Sequence, residues 1–78
     1  MELNTQEELK AHLMATDEEF RRLSEEHASY EALITSLETK SPFTLADEDE
    51  EHRLKKLKLR LKDQMNGILA RHWQEVHV

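Results

Sequence analysis

The 78-residue chain has no cysteine, one glycine, one proline, one tryptophan, one tyrosine and two phenylalanines. Without cysteine there is no disulfide and no thiol chemistry, and cysteine usage leaves the redox compartment open. A single glycine cannot build a glycine-rich phosphate loop. Ser24, Ser29, Ser36 and Ser41 lie in no glycine-flanked nucleophile elbow. No apolar run approaches the roughly 20 residues that a membrane span requires. The opening MELNTQEELK has neither the basic start nor the apolar core of a secretory leader. The expectation is a cytoplasmic protein with no membrane association, no cofactor and no enzymatic activity.

What the chain does have is charge and helix formers. Charged residues make up 36% and hydrophobic residues 37%, and the formal net charge is −6. Abundant Leu, Glu and Lys with few breakers point to long helices in one small domain. Net negative charge argues against bulk attraction to nucleic acid or to an anionic membrane.

In the first half, Leu9, Leu13, Thr16, Phe20, Leu23, His27, Tyr30, Ile34 and Leu37 follow at alternating steps of four and three. That spacing is a heptad seam with Thr16 and His27 as its polar members. Asn4 or Thr5, each with a glutamate three places on, marks the start as a capping box. Pro42 ends the arm, since it disfavours helical geometry at Ser41 and has no amide hydrogen to donate. Thr44, with Asp47 three places on, opens a second arm through the acidic run Asp47–Glu51. Its seam reads Leu54, Leu57, Leu61, Met65, Ile68, His72 and Val76, with Gly67 favoured as a point of close helix approach. The fold expected is all-α: an antiparallel two-helix hairpin, helix 1 about 5–39, turn about 40–44, helix 2 about 45–75.

Folding at residues 42–43 lays Phe20 beside Met65, Leu23 beside Leu61, His27 beside Leu57 and Tyr30 beside Leu54. The same fold sets the basic run Arg53, Lys55, Lys56, Lys58, Arg60 and Lys62 beside Asp17, Glu18, Glu19, Glu25, Glu26 and Glu31. Opposite charges so placed favour the antiparallel register. The run therefore has an explanation that needs no nucleic acid, and it holds no aromatics for base stacking. Nucleic-acid binding through residues 53–62 remains the alternative function.

Two helices meeting along one stripe bury little apolar surface. Met14, Leu33, Leu59 and Trp73 point away from the seam by helical phase, and His27 occupies a seam position where leucine is expected. These five are the candidate interaction residues. They point to self-association, a dimer first, or to another helical protein. His12 and His72 at similar heights, with Glu8 one turn before His12, form a weak set for a metal ion. No Glu-x-x-His motif recurs on both arms, so no metal is assigned.

The stretches HLMATDEEFRRLSEEHASYEALITSLE and LKKLKLRLKDQMNGIL, joined by a proline-containing turn, resemble the YdcH-like family of small bacterial proteins, a domain of unknown function. The likeness spans roughly residues 12–72. It is carried best by Asp17–Phe20, by His27 with its following apolar residues, and by Leu57–Asp63, with DEDEE in the place of the family's acidic residues after the turn. The tail RHWQEVHV is less typical, so nothing is transferred to Trp73 or His77. The resemblance implies a cytosolic helical hairpin that tends to oligomerise, and it implies no activity or substrate.

Overall fold

A computed structural model describes residues 5–76, with Val76 as backbone only. Among the described residues three helices follow one another: α1 (Gln6–Thr16), α2 (Glu18–Glu38) and α3 (Leu45–Val76). The expected two-helix hairpin is thus corrected to three helices. The α2–α3 pair forms the antiparallel hairpin, and α1 packs against both of its members. The molecule is a rod of 51 × 19 × 17 Å, close to the length that 1.5 Å per residue gives for α3.

The correction has a local cause at Asp17. This residue is extended (φ −113°, ψ 109°), and its carboxylate accepts a 2.9 Å hydrogen bond from the Phe20 amide. Asp17 therefore caps α2, with Glu18 and Glu19 in the first turn, where the helix dipole favours negative charge. Its own amide donates to the Leu13 carbonyl at 2.8 Å and closes α1. The apolar spacing runs through this break unchanged, which is why periodicity alone reads one long helix. Thr16, the predicted seam member at the break, is exposed and donates its hydroxyl to the His12 carbonyl.

The break sets the core. Leu9, Leu13, Phe20, Leu23, Ile68 and Leu69 are buried in one cluster, with Leu61, Met65 and Trp73 half-buried against it. All three helices contribute, at the end of the rod away from the turn. Nearer the turn, the buried apolar residues are Ile34 and Leu54. Burial of each such side chain stabilises by about 1.5–3 kcal/mol before entropy is charged against it. Trp73, expected to point away from the seam, is corrected by this arrangement. Leu69, off the predicted seam, is fully inside for the same reason: a third helix gives α3 a second face to bury.

The termini of the helices follow their sequence signals. The Thr5 side chain caps α1 by accepting from the Glu8 amide at 3.1 Å. Asn4, the other candidate cap, the Val76 side chain and His77 lie outside the described residues. Gly67 is helical, and a methyl group built on it meets nothing within 4 Å. The close approach expected there is not made. Gly67→Ala should raise stability by up to about 1 kcal/mol, because alanine loses less backbone entropy in a helix. A thermal melt checks this, and a lowered midpoint would contradict the open surroundings of Gly67.

Candidate interaction face

The turn is fastened by a reciprocal cap. Thr44 donates from both its amide and its hydroxyl to Asp47 Oδ2, at 2.9 Å each, and the Asp47 amide donates back to the Thr44 hydroxyl at 3.2 Å. Lys40 Nζ reaches Asp47 Oδ1 at 2.9 Å from across the turn. Asp47 is only 7% exposed, and the three hydrogen bonds its carboxylate accepts favour its ionised form. The Thr44 backbone bond, then the Lys40 and Thr44 side-chain bonds, hold its pKa down at about 2 against an ordinary 3.8. A carboxylate depressed in this way adds stability above its unfolded pKa, and loses it as pH falls through the folded value. Asp47→Asn should therefore lower the urea midpoint at pH 6, with the difference from the parent shrinking between about pH 4 and pH 2. A difference that persists undiminished to pH 2 would contradict the assignment.

The basic run is only partly countered. Lys58 Nζ meets Glu31 Oε2 at 2.7 Å, and Lys55 Nζ lies 3.9 Å from Glu38 and 3.6 Å from Glu51. The Lys58 hydrogen bond lowers the Glu31 pKa, with a smaller contribution from nearby His27. Arg53 turns to Glu50 on its own helix, Nε to Oε2 at 3.1 Å, and lowers that carboxyl as well. Among the described residues, Lys56, Arg60 and Lys62 make no ion pair and are exposed. Glu31 is thus met across the helices as expected, and Glu38, nearer the turn, joins it from outside the expected set. Of the other acids expected opposite the run, Asp17 is occupied as a cap and faces His72 Nε2 at 3.6 Å, while Glu26 pairs with Arg22 at 3.3 Å. Each exposed pair contributes about 0–1 kcal/mol, so their collective effect lies in register.

The five candidate interaction residues are not gathered together. Met14 sits on α1 and Leu59 on α3, both exposed; Trp73 is half-buried against the core; His27 is half-buried on α2. Leu33, 53% exposed, lies where two grooves meet. One, of about 480 Å³, runs along α2 and is lined by Arg22, Glu25, Glu26, Ser29, Tyr30 and Leu33. The other, of about 380 Å³, bridges α2 and α3 and is lined by Leu33, Ser36, Leu37, Lys40, Glu50 and Leu54. By their spacing Tyr30 and Leu37 are seam residues. They are half-buried and line the grooves, because each lies at the edge of the α2–α3 contact.

Phe43 and Leu45 add exposed apolar surface at the turn. Neither is on a seam, and their places beside Pro42 and the Thr44 cap are the signal that could have found them. No group of three His, Asp or Glu side chains among the described residues is arranged to hold a metal ion. His12 is exposed, and His72 engages Asp17 and Glu75. No helix among the described residues is long and apolar enough to cross a membrane.

These features define a small all-α protein: an antiparallel hairpin with a third helix closing one end and two grooves that meet at exposed Leu33 on α2. The family model described as protein of unknown function (DUF465) matches residues 20–69, and the chain belongs to that family. The YdcH-like resemblance of the sequence is consistent with this membership. No curated protein and no solved structure matches the chain. The match runs from Phe20 to Leu69, two residues of the same core cluster, so α1 lies outside it.

Proposed function

We propose that this protein is a non-catalytic, cytoplasmic interaction module that works by self-assembly or by docking another helical protein. The observation that carries this reading is exposed Leu33 between two grooves, with half-buried Tyr30 and Leu37 at their edges and buried Leu54 lining one of them. A groove on either side of this leucine gives a partner helix somewhere to lie. Its carboxylates support the non-catalytic reading, since those near the turn and the basic run are engaged in caps and ion pairs on helix surfaces.

Sedimentation velocity over the micromolar range tests the self-assembly form. An increase in mass with concentration is expected, and a folded monomer throughout would remove it. The second reading, nucleic-acid binding through residues 53–62, has one supporting observation: Lys56, Arg60 and Lys62 are exposed and unpaired among the described residues. Against it, Arg53, Lys55 and Lys58 already face carboxylates. Fluorescence anisotropy with labelled single-stranded and duplex DNA and RNA at physiological salt separates the two. Binding lost on charge reversal at Lys56, Arg60 and Lys62 would favour the second.

A further inference from the structure

We infer that the outward face of α3 centred on Leu59 docks an acidic amphipathic helix of another protein, one that sets carboxylates around a single apolar residue. This deepens the docking form of the reading above and rests on it, but it uses a different surface from the Leu33 grooves. Leu59 is 58% exposed. At 3.6 residues per turn it lies on the side of α3 away from Leu54, Leu61 and Ile68, which turn inward. Its neighbours on that face stand three and four places away: Lys55, Lys56, Lys62 and Asp63. Three of these four are lysines, and Arg60 adjoins them. Lys56, Arg60 and Lys62 are exposed and make no ion pair among the described residues. Lys55 is exposed and has only long contacts, to Glu38 at 3.9 Å and to Glu51 at 3.6 Å. Register against α2 therefore accounts for Lys58, and it leaves the cations around Leu59 open to a further anionic partner.

The chemistry of the patch selects the partner. Its positive charge calls for an anion, and the leucine at its centre calls for an apolar group in the same place. A helix meets both demands at once, because side chains three and four places either side of one apolar residue share its face. The patch is also short. Lys55 to Lys62 covers about 10 Å at 1.5 Å per residue. Exposed Glu48 and Asp49 lie beyond one end, and Asp63 closes the other. Two turns of a partner helix fit between these acids. A nucleic acid following α3 meets carboxylates at both ends, its phosphates offer nothing apolar to Leu59, and the patch has no aromatic side chain on which a base could stack. Charge complementarity of this kind governs partner choice and encounter rate more than raw affinity, which suits a weak, reversible contact.

The test is fluorescence anisotropy of the full chain at physiological salt with one probe. The probe is a fluorescein-labelled helical peptide of about 15 residues, with glutamate three and four places either side of a central leucine and alanine elsewhere. Saturable binding below about 1 mM is expected. The triple variant Lys56→Glu/Arg60→Glu/Lys62→Glu should weaken it by about tenfold or more, since three attractions become repulsions. Leu59→Gln should weaken it by about threefold, and so should glutamine at the centre of the peptide. The two changes together should cost no more than either alone, because they remove one shared contact. Leu33→Lys should leave binding unchanged. All these positions are exposed, and circular dichroism establishes that each variant is folded. Absence of saturable binding overturns the acidic-helix partner and leaves the Leu33 grooves, and with them the reading above, standing. Binding lost in Leu33→Lys but kept in Leu59→Gln moves docking to those grooves and overturns the Leu59 face. Tighter binding of a labelled single-stranded or duplex oligonucleotide, lost in the triple variant but not in Leu59→Gln, assigns the patch to nucleic acid and overturns the inference.

Discussion

Phe20→Ala should lower stability by about 3–5 kcal/mol, the usual loss when a buried phenylalanine is truncated. Phe20 is 1% exposed and joins a cluster to which all three helices contribute. At roughly 0.05–0.15 kcal/mol per residue, a domain of this length holds only some 4–12 kcal/mol in total. The substitution therefore removes a large fraction of what keeps the chain folded. Ile34→Ala is the informative comparison. Ile34 is also buried, yet it lies outside that cluster, nearer the turn, and its truncation belongs at the lower end of the usual 2–5 kcal/mol. Urea titrations followed by circular dichroism read both losses. A Phe20→Ala loss smaller than that of Ile34→Ala would mean that the centre of stability lies at the turn.

The parts of this fold that are legible in the sequence are those set by nearby residues. Pro42 stops a helix by its own geometry, and Thr44 with Asp47 starts the next one. The seam positions Leu9, Leu13, Phe20, Leu23, Ile34, Leu54 and Ile68 are all buried, because a face that repeats every 3.5 residues has to turn inward wherever its helix packs. The break at Asp17 is hidden by that same regularity. The signal was present in Thr16, Asp17, Glu18 and Glu19: two weak interior residues followed by first-turn acids. It competes with an apolar repeat that continues across it. The burial of Leu69 and Trp73 has no local signal at all, since it depends on where α1 lands after the break. The candidate face was legible at one residue, Leu33. Its grooves were not, because they arise from how α2 and α3 sit against each other.

That dependence on α1 gives the second large effect. Leu9 and Leu13 are the two buried residues of α1, and each is almost fully enclosed. Leu13→Ala should cost about 2–5 kcal/mol through lost transfer energy and the cavity left behind. The form of the loss matters as much as its size. If α1 were an appendage on an independent hairpin, undocking it would change the surroundings of Trp73 while the bulk of the helix signal stayed in place. The cluster argues otherwise: Leu9 and Leu13 share it with Phe20 and Leu23 of α2 and with Ile68 and Leu69 of α3. Removing the α1 contribution thins the largest buried cluster that the hairpin has. Leu13→Ala is thus expected to shift Trp73 fluorescence and far-ultraviolet circular dichroism to one common, lower urea midpoint, as a single cooperative unit requires. Trp73 is the chain's one tryptophan, so the fluorescence reports on this end of the rod alone. Two separated midpoints would show that the hairpin, which holds the Phe20–Leu69 segment matched by the family, stands without α1. One midpoint means that the residues outside that match complete the core of the residues inside it.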